Sequence, residues 1–158
     1  MKKIINPYIG LKNYHCFCCD PANPIGLHMK FYEDNDEIVS EWSPSEYHQG
    51  WINVLHGGIQ SALCDELAGW VISRKMKKAG VTSKMEVKYH KSIYTAEPKI
   101  TIRGHIESER RNLVTVGVQI FNSSGELCTE ATCLYYLFTK EQSRNDYFYL
   151  DCKTEDEV

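Results

Sequence analysis

The stretch His48-Gln49-Gly50-Trp51-Ile52-Asn53-Val54-Leu55-His56-Gly57-Gly58-Ile59-Gln60-Ser61-Ala62-Leu63-Cys64-Asp65-Glu66-Leu67-Ala68-Gly69-Trp70 decides how this chain is read. Gly57 and Gly58 lack side chains, so a ligand can reach the backbone N–H groups that open a following helix, where the helix dipole favours developing negative charge. From Ile59 to Ile72 apolar residues fall on nearly every side (Ile59, Ala62, Leu63, Cys64, Leu67, Ala68, Trp70, Val71, Ile72). That pattern predicts a helix wrapped by other structure rather than laid on a surface. Asp65 and Glu66 interrupt it. Taken singly, a glycine pair before a helix is more often a plain turn, and a histidine placed as His56 is more often a cap or packing residue than a catalyst. An unpaired buried carboxylate costs about several kcal/mol, so an acidic pair inside so apolar a segment, just after an anion-holding loop, points to chemistry.

Working outward, the helix is expected to run from near Gly57 through Arg74-Lys75-Met76-Lys77-Lys78, whose positive charges suit its C-terminal dipole, with Gly80 as its stop. That is roughly 22 residues, or about 33 Å. Before it, Leu27, Met29 and Phe31 alternate with His28, Lys30 and Tyr32, and Ile38 to Trp42 is extended. Glu33-Asp34-Asn35-Asp36 makes a turn between them, so a hairpin is expected. After it come four strand patterns: Met85, Val87 and Tyr89; Ile100, Ile102 and Ile106; Val114, Val116, Val118 and Ile120; and Leu127 to Phe138, entered through the turn Asn122-Ser123-Ser124-Gly125. One long apolar helix and four strands joined by short turns is an α+β pattern with an antiparallel sheet that must curl around the helix.

The 158 residues suit one domain. With 18 Lys and Arg against 21 Asp and Glu, interspersed, the net charge of −3 offers no basic field for nucleic acid. No apolar run reaches the roughly 18 to 20 residues of a membrane span, and Met1 to Pro7 contains no signal-like apolar stretch, so a soluble cytoplasmic protein is expected. Of seven cysteines, Cys64, Cys128 and Cys133 fall in apolar patterns and read as small core residues. Cys16-x-x-Cys19, beside His15 and around Cys18, is half of a zinc site, but no second such pair follows, and no metal is assigned. The polar, acidic stretch from Lys140 to Val158 is expected to be loosely ordered.

His56-Gly57-Gly58 with Asp65 seven residues beyond Gly58 resembles the active-site segment of hotdog-fold acyl-CoA thioesterases of the phenylacetate-pathway type. The opening Cys16-Phe17-Cys18-Cys19-Asp20-Pro21-Ala22-Asn23-Pro24-Ile25-Gly26-Leu27 is similar to the Cys-Phe-x-Cys-Gly-x-x-Asn-Pro-x-Gly-Leu start of one branch of that family, with Asp20 standing where the branch commonly has Gly. The resemblance covers roughly residues 16 to 139. It implies the hotdog fold, a long central helix wrapped by a curved antiparallel sheet, with residues 1–26 as an N-terminal extension that the cysteines pack on the body, 27–139 as the thioesterase domain and 140–158 as a tail.

Thioester hydrolysis needs donors that polarise the carbonyl and a carboxylate that attacks it or activates water. By resemblance, Gly57 N–H is the preferred oxyanion donor, with Gly58 beside it, and Asp65 is the catalyst. Glu66 lies about 100° further round the helix, free to pair with a cation or a buried hydroxyl or to meet substrate. Gln49, and then Asn53, can orient water or the carbonyl through their amides; His56 and His48 are secondary candidates. Eight residues, about 12 Å of helix, separate Gly57 from Asp65, so one carbonyl is out of reach of both in one chain. A two-fold homodimer sharing its sites, or a tetramer built from it, is expected. Arg110, Arg111, Lys84 and Lys88 are candidates for the phosphoryl groups of coenzyme A, and Tyr47, Trp51 and Trp70 for an acyl or aryl pocket or, equally, for core packing. No cofactor is expected beyond the coenzyme A of the substrate. Residues Ser43 to Leu55 contain no aspartate, so the Asp-x-x-x-x-His signature of hotdog hydratases is missing. The competing readings are a non-catalytic acyl-CoA-binding sensor or carrier and a zinc-knuckle interaction module.

Overall fold

The apolar run after the glycine pair forms a single helix, α1 (Gly57–Met76), in the computed structural model, which describes residues 1–158. Seven strands surround it: β1 (Lys2–Lys3), β2 (Tyr32–Asp34), β3 (Glu37–Trp42), β4 (Gly80–Tyr89), β5 (Ile100–Arg110), β6 (Leu113–Phe121) and β7 (Leu127–Leu137). They make one antiparallel sheet in the order β1-β2-β3-β5-β6-β7-β4. Leu63, Cys64, Leu67, Ala68, Val71 and Ile72 of α1 share one buried core with Ile38, Ile100, Ile102, Val116, Val118, Ile120 and Cys133 of the sheet. A helix apolar on so many sides stays out of water only inside such a curved sheet. This is the hotdog fold. Gln60, a buried polar residue near the start of α1, donates to Leu55 O and accepts from Thr129 of β7, tying the helix entry to both loop and sheet.

Three expectations are corrected. The helix ends at Met76, with Lys77 in the left-handed conformation (φ 53°) as its cap, short of the expected Lys78. Gly80 does not stop it but opens β4, where a Cβ would lie 2.9 Å from Leu137 Cδ2. In the N-terminal hairpin, Leu27, Met29 and Phe31 are buried but lie outside the strands, and Glu33 and Asp34 are paired in β2, leaving Asn35 and Asp36 to turn the chain.

The last stretch is ordered, against expectation. Thr139 and Gln142 exchange capping hydrogen bonds at the start of α2 (Lys140–Tyr147), and Ser143, Cys152 and Thr154 are buried. Thr154 bridges to Ile4, Lys2 pairs with Asp156 at 2.6 Å, and Arg74 of α1 joins Glu33 to Glu157. Acidic composition predicts disorder when the charges lack partners; here α1 and the basic start of the chain supply them. No helix is long and apolar enough to cross a membrane.

Candidate active site

The loop before α1 is built to present a helix N-terminus. The His48 ring packs tilted against Trp42 and its Nδ1 accepts from Ser45 N–H at 3.0 Å, while its carbonyl receives His56 N–H. Burial holds the His48 imidazole below its ordinary pKa, consistent with a neutral acceptor ring. Gln49 Oε1 accepts from Asn53 N–H at 3.1 Å, and Asn53 turns the loop at φ 68°. The Gln49 side-chain amide and the Asn53 backbone hold the loop together. His56 is the N-cap: its Nδ1 accepts from Gly58 N–H at 2.8 Å. That bond engages both residues. His56 does what a capping histidine does, and the Gly58 N–H expected to help polarise a carbonyl is already engaged. A Cβ on Gly58 would stand 2.9 Å from His56 Cε1, so the cap itself requires glycine there. The Gly57 N–H has no acceptor within the chain and points outward from the helix start.

Gly57, Ser61 and Asp65 follow one another at four-residue spacing along the side of α1 that faces β4. Asp65 is half-buried, and its Oδ1 accepts from Thr82 Oγ1 at 2.6 Å and from Tyr135 OH at 3.1 Å, the phenol also reaching Asp65 O at 2.8 Å. Oδ2 has no partner within the chain. Burial, reinforced by the Asp65 charge, raises the Tyr135 pKa well above its ordinary value, so the phenol remains a donor. At the other end of the stripe, Tyr89 OH donates to Gly57 O at 2.9 Å and lies 2.7 Å from Ser61 Oγ. Thr82, Tyr135 and Tyr89 were not among the expected residues. Nothing local in β4 or β7 marks them: the register that sets Thr82 opposite Tyr135 gathers those two on Asp65, while Tyr89 lies at the Gly57 end.

Glu66 turns away from this stripe. Its Oε1 accepts from Trp70 Nε1 at 3.0 Å and from Cys16 Sγ at 3.5 Å, which joins it to the N-terminal segment. Cys18 Sγ reaches Ala62 O and Met29 N–H bonds Cys18 O, which packs that segment on the body, while Asp20 Oδ1 accepts from Ala22 N–H to shape its turn. Trp70 is core, stacked on Phe31 at 4.7 Å. Tyr47 and Trp51 are not: they are 88% and 85% exposed and, with Ile52, form an apolar rim on the loop. Lys84 and Lys88 lie exposed on β4. Arg110 and Arg111, exposed at the β5–β6 turn, sit at the Gly80 end of the sheet: Arg110 pairs with Leu113, Leu113 with Tyr136, and Tyr136 with Val81. Tyr89, which touches Gly57, pairs instead with Thr129, seven residues or about 23 Å along β7 from Tyr136. One chain therefore does not bring the arginines to Gly57.

Residues 52–129, which carry the glycine loop, α1 and most of the sheet, match the family model described as the thioesterase superfamily. The match spans 78 of the 158 residues, and over them the chain is similar to that superfamily. Solved structures share the hotdog fold. One thioesterase superfamily protein superposes with a TM-score of 0.71 at 22% identity over 77% of this chain, which spans 62% of that protein's length. A hypothetical thioesterase from Streptococcus pneumoniae, solved with coenzyme A, matches at TM-score 0.66 and 22% identity, covering 71% of this chain and 87% of its own. A Streptococcus mutans protein bound to acetyl-CoA matches at 0.67 and 18%, covering 83% and 98%. No curated protein matches.

Proposed function

We propose that this protein is an acyl-CoA thioesterase of the phenylacetate-pathway type, hydrolysing an acyl- or aryl-CoA thioester to the free acid and coenzyme A in sites shared by two copies of the chain. The observation that carries this reading is the Asp65 carboxylate, anchored through one oxygen by Thr82 and Tyr135 with the other oxygen free, on the same helix face as the unpaired N–H of Gly57. A fixed carboxylate and a fixed dipole are the two elements that thioester hydrolysis requires.

Gly57 N–H polarises the carbonyl and receives the charge that develops on its oxygen. Asp65 either takes a proton from water, whose oxygen then adds to the carbonyl carbon, or adds directly to form an anhydride that water opens. In both routes the C–S bond breaks and the coenzyme A thiolate leaves and is protonated. About 12 Å of helix separates the two groups in one chain, and β4 supports the two-copy solution. It is an edge strand of ten residues, exposed along most of its length, whose inner side carries Thr82 at one end and Tyr89 at the other. Two such edges pairing antiparallel about a two-fold axis set the Asp65 end of one against the Gly57 end of the other. The same pairing carries Lys84, Arg110 and Arg111 of one copy toward the loop of the other, where they meet the phosphoryl groups of coenzyme A. The rim of Tyr47, Trp51 and Ile52 borders the acyl group.

A panel of short, long and aromatic acyl-CoA thioesters assayed by thiol release tests the activity. Turnover is expected on at least one of them, and Asp65→Asn should lower it by about 100-fold or more with the fold intact. Tight acyl-CoA binding without turnover across the panel would establish a binding protein instead.

A further inference from the structure

The Cys16-x-x-Cys19 pair is unused by the proposed chemistry. Its sulfurs lie 3.0 Å apart, and the third donor that the sequence around it lacks arrives from α1, fifty residues away, as the Glu66 carboxylate. One donor atom from each of the three lies within 4.8 Å of the others. We propose that Cys16, Cys19 and Glu66 bind a zinc-class divalent cation that clamps the N-terminal segment onto the central helix, a site separate from the one built on Asp65.

The chemistry of the donors selects the ion. Two thiolates and a carboxylate suit borderline-soft zinc far better than magnesium or calcium, which take oxygen. The local geometry resembles a zinc knuckle: Cys19 N–H donates to Cys16 Sγ at 3.3 Å, aiming that sulfur, and Trp70 Nε1 orients the carboxylate from outside the ligand set. At about 2.3 Å from a tetrahedral centre, two sulfurs stand about 3.8 Å apart, so the pair must open by less than 1 Å. The fourth position faces a cavity of about 220 Å³ lined in part by Tyr8, Tyr14, Ser73 and Tyr149, with Tyr14 OH 3.1 Å from Cys19 Sγ. A water held by that phenol, or the phenol itself, completes the set.

Charge points the same way. Glu66 has no basic partner within salt-bridge distance; its contacts are an indole N–H and a thiol. Lys78 lines the same cavity without pairing with it. Binding converts two thiols to thiolates, releasing two protons to solvent, and leaves the two sulfurs, the carboxylate and the cation with one net negative charge.

The test uses the full chain without a histidine tag, purified with a thiol reductant, its metal measured by elemental mass spectrometry and the stripped protein titrated with zinc and with cobalt. About one zinc per chain is expected, and cobalt should give thiolate-to-metal charge-transfer bands with the intense visible bands of a tetrahedral site. Loss of an outer partner of a zinc ligand costs about 10- to 100-fold in affinity, so Glu66→Gln, which removes a ligand itself, should cost at least that; Asp65→Asn should cost nothing. Chelation should lower the melting temperature by about 5 °C or more, restored by zinc. Turnover below that transition should be unchanged, which separates this site from the catalytic one. A reduced chain that takes up neither metal, or zinc content indifferent to Cys16→Ser, Cys19→Ser and Glu66→Gln, would overturn the proposal. So would a chain short of two hydrogens through a Cys16–Cys19 disulfide and indifferent to zinc after reduction. A stripped protein that stays folded but loses turnover would overturn the clamp role. The cobalt spectrum of the unaltered chain reads the ligands even where a variant fails to fold.

Discussion

Adjacent acids in one helix have different environments because 100° of rotation separates them. Asp65 points at β4 and receives two hydroxyls; Glu66 points at the N-terminal segment and receives an indole and a thiol. Their replacements should therefore separate. Asp65→Asn should abolish most turnover while leaving the melting temperature near its original value, and Glu66→Gln should do the reverse. Tyr135→Phe keeps the ring but removes two hydrogen bonds to Asp65, and should lower stability by about 1 kcal/mol and turnover by several-fold. If Tyr135→Phe matched the unaltered chain in both thermal unfolding and turnover, the phenol would not be positioning the carboxylate.

At the scale of the element, the start of α1 offers the cleanest experiment. The Gly57 N–H is free, the nearest atoms to a Cβ there belong to Tyr89 at 3.5 Å, an ordinary contact, and His56 already has the extended backbone (φ −58°, ψ 131°) that a following proline demands. Gly57→Pro should fold and yet lack the proposed oxyanion donor. Unfolded together with Asp65→Asn and reassembled, it should form about half mixed dimers, each with one intact site. Recovery toward about a quarter of normal activity is expected; no recovery in confirmed mixed dimers would place both groups in a one-chain site. His56→Ala should cost about 1 kcal/mol of stability as a lost N-cap. Its turnover should fall only as far as the helix start is disturbed, with no new pH dependence, since the ring acts by holding Gly58.

Ionic contacts tie β2 and the C-terminal tail to α1 and the tail to the start of the chain, and this gives the whole molecule an acid sensitivity. Arg74, and Lys75 beside it, hold the Glu33 carboxyl below its ordinary value near 4.5. A carboxyl whose pKa is lower in the folded state contributes stability above its unfolded pKa, and that contribution disappears as pH falls through the folded value. Thermal unfolding should therefore show a gap between the unaltered chain and Glu33→Gln that is constant at neutral pH and narrows below about pH 4.5. A gap unchanged down to about pH 3 would show that the ion pairs do not set this dependence.

Periodicity and composition alone were enough for one apolar helix, the strands after it, the buried Cys64, Cys128 and Cys133, and a helix N-terminus at Gly57, because each depends on a local pattern of a few neighbouring residues. The choice of Asp65 over Glu66 came with the family motif, and the structure gives the two acids different partners. What the sequence concealed depends on partners distant along the chain. Gly58 stood beside Gly57 as a second donor until the His56 ring was seen to occupy its N–H. The tail looked unattached until Arg74, Lys2 and Lys3 were found facing it. Thr82 and Tyr135 had no visible role until the β4–β7 register set them over Asp65, and Cys16-x-x-Cys19 lacked a third donor until α1 brought Glu66 beside it. Local patterns decide which elements form, since propensity and burial act along short stretches. Only the tertiary packing decides which polar groups find a partner, because a hydrogen bond is made by proximity in space, and sequence separation carries almost no information about it.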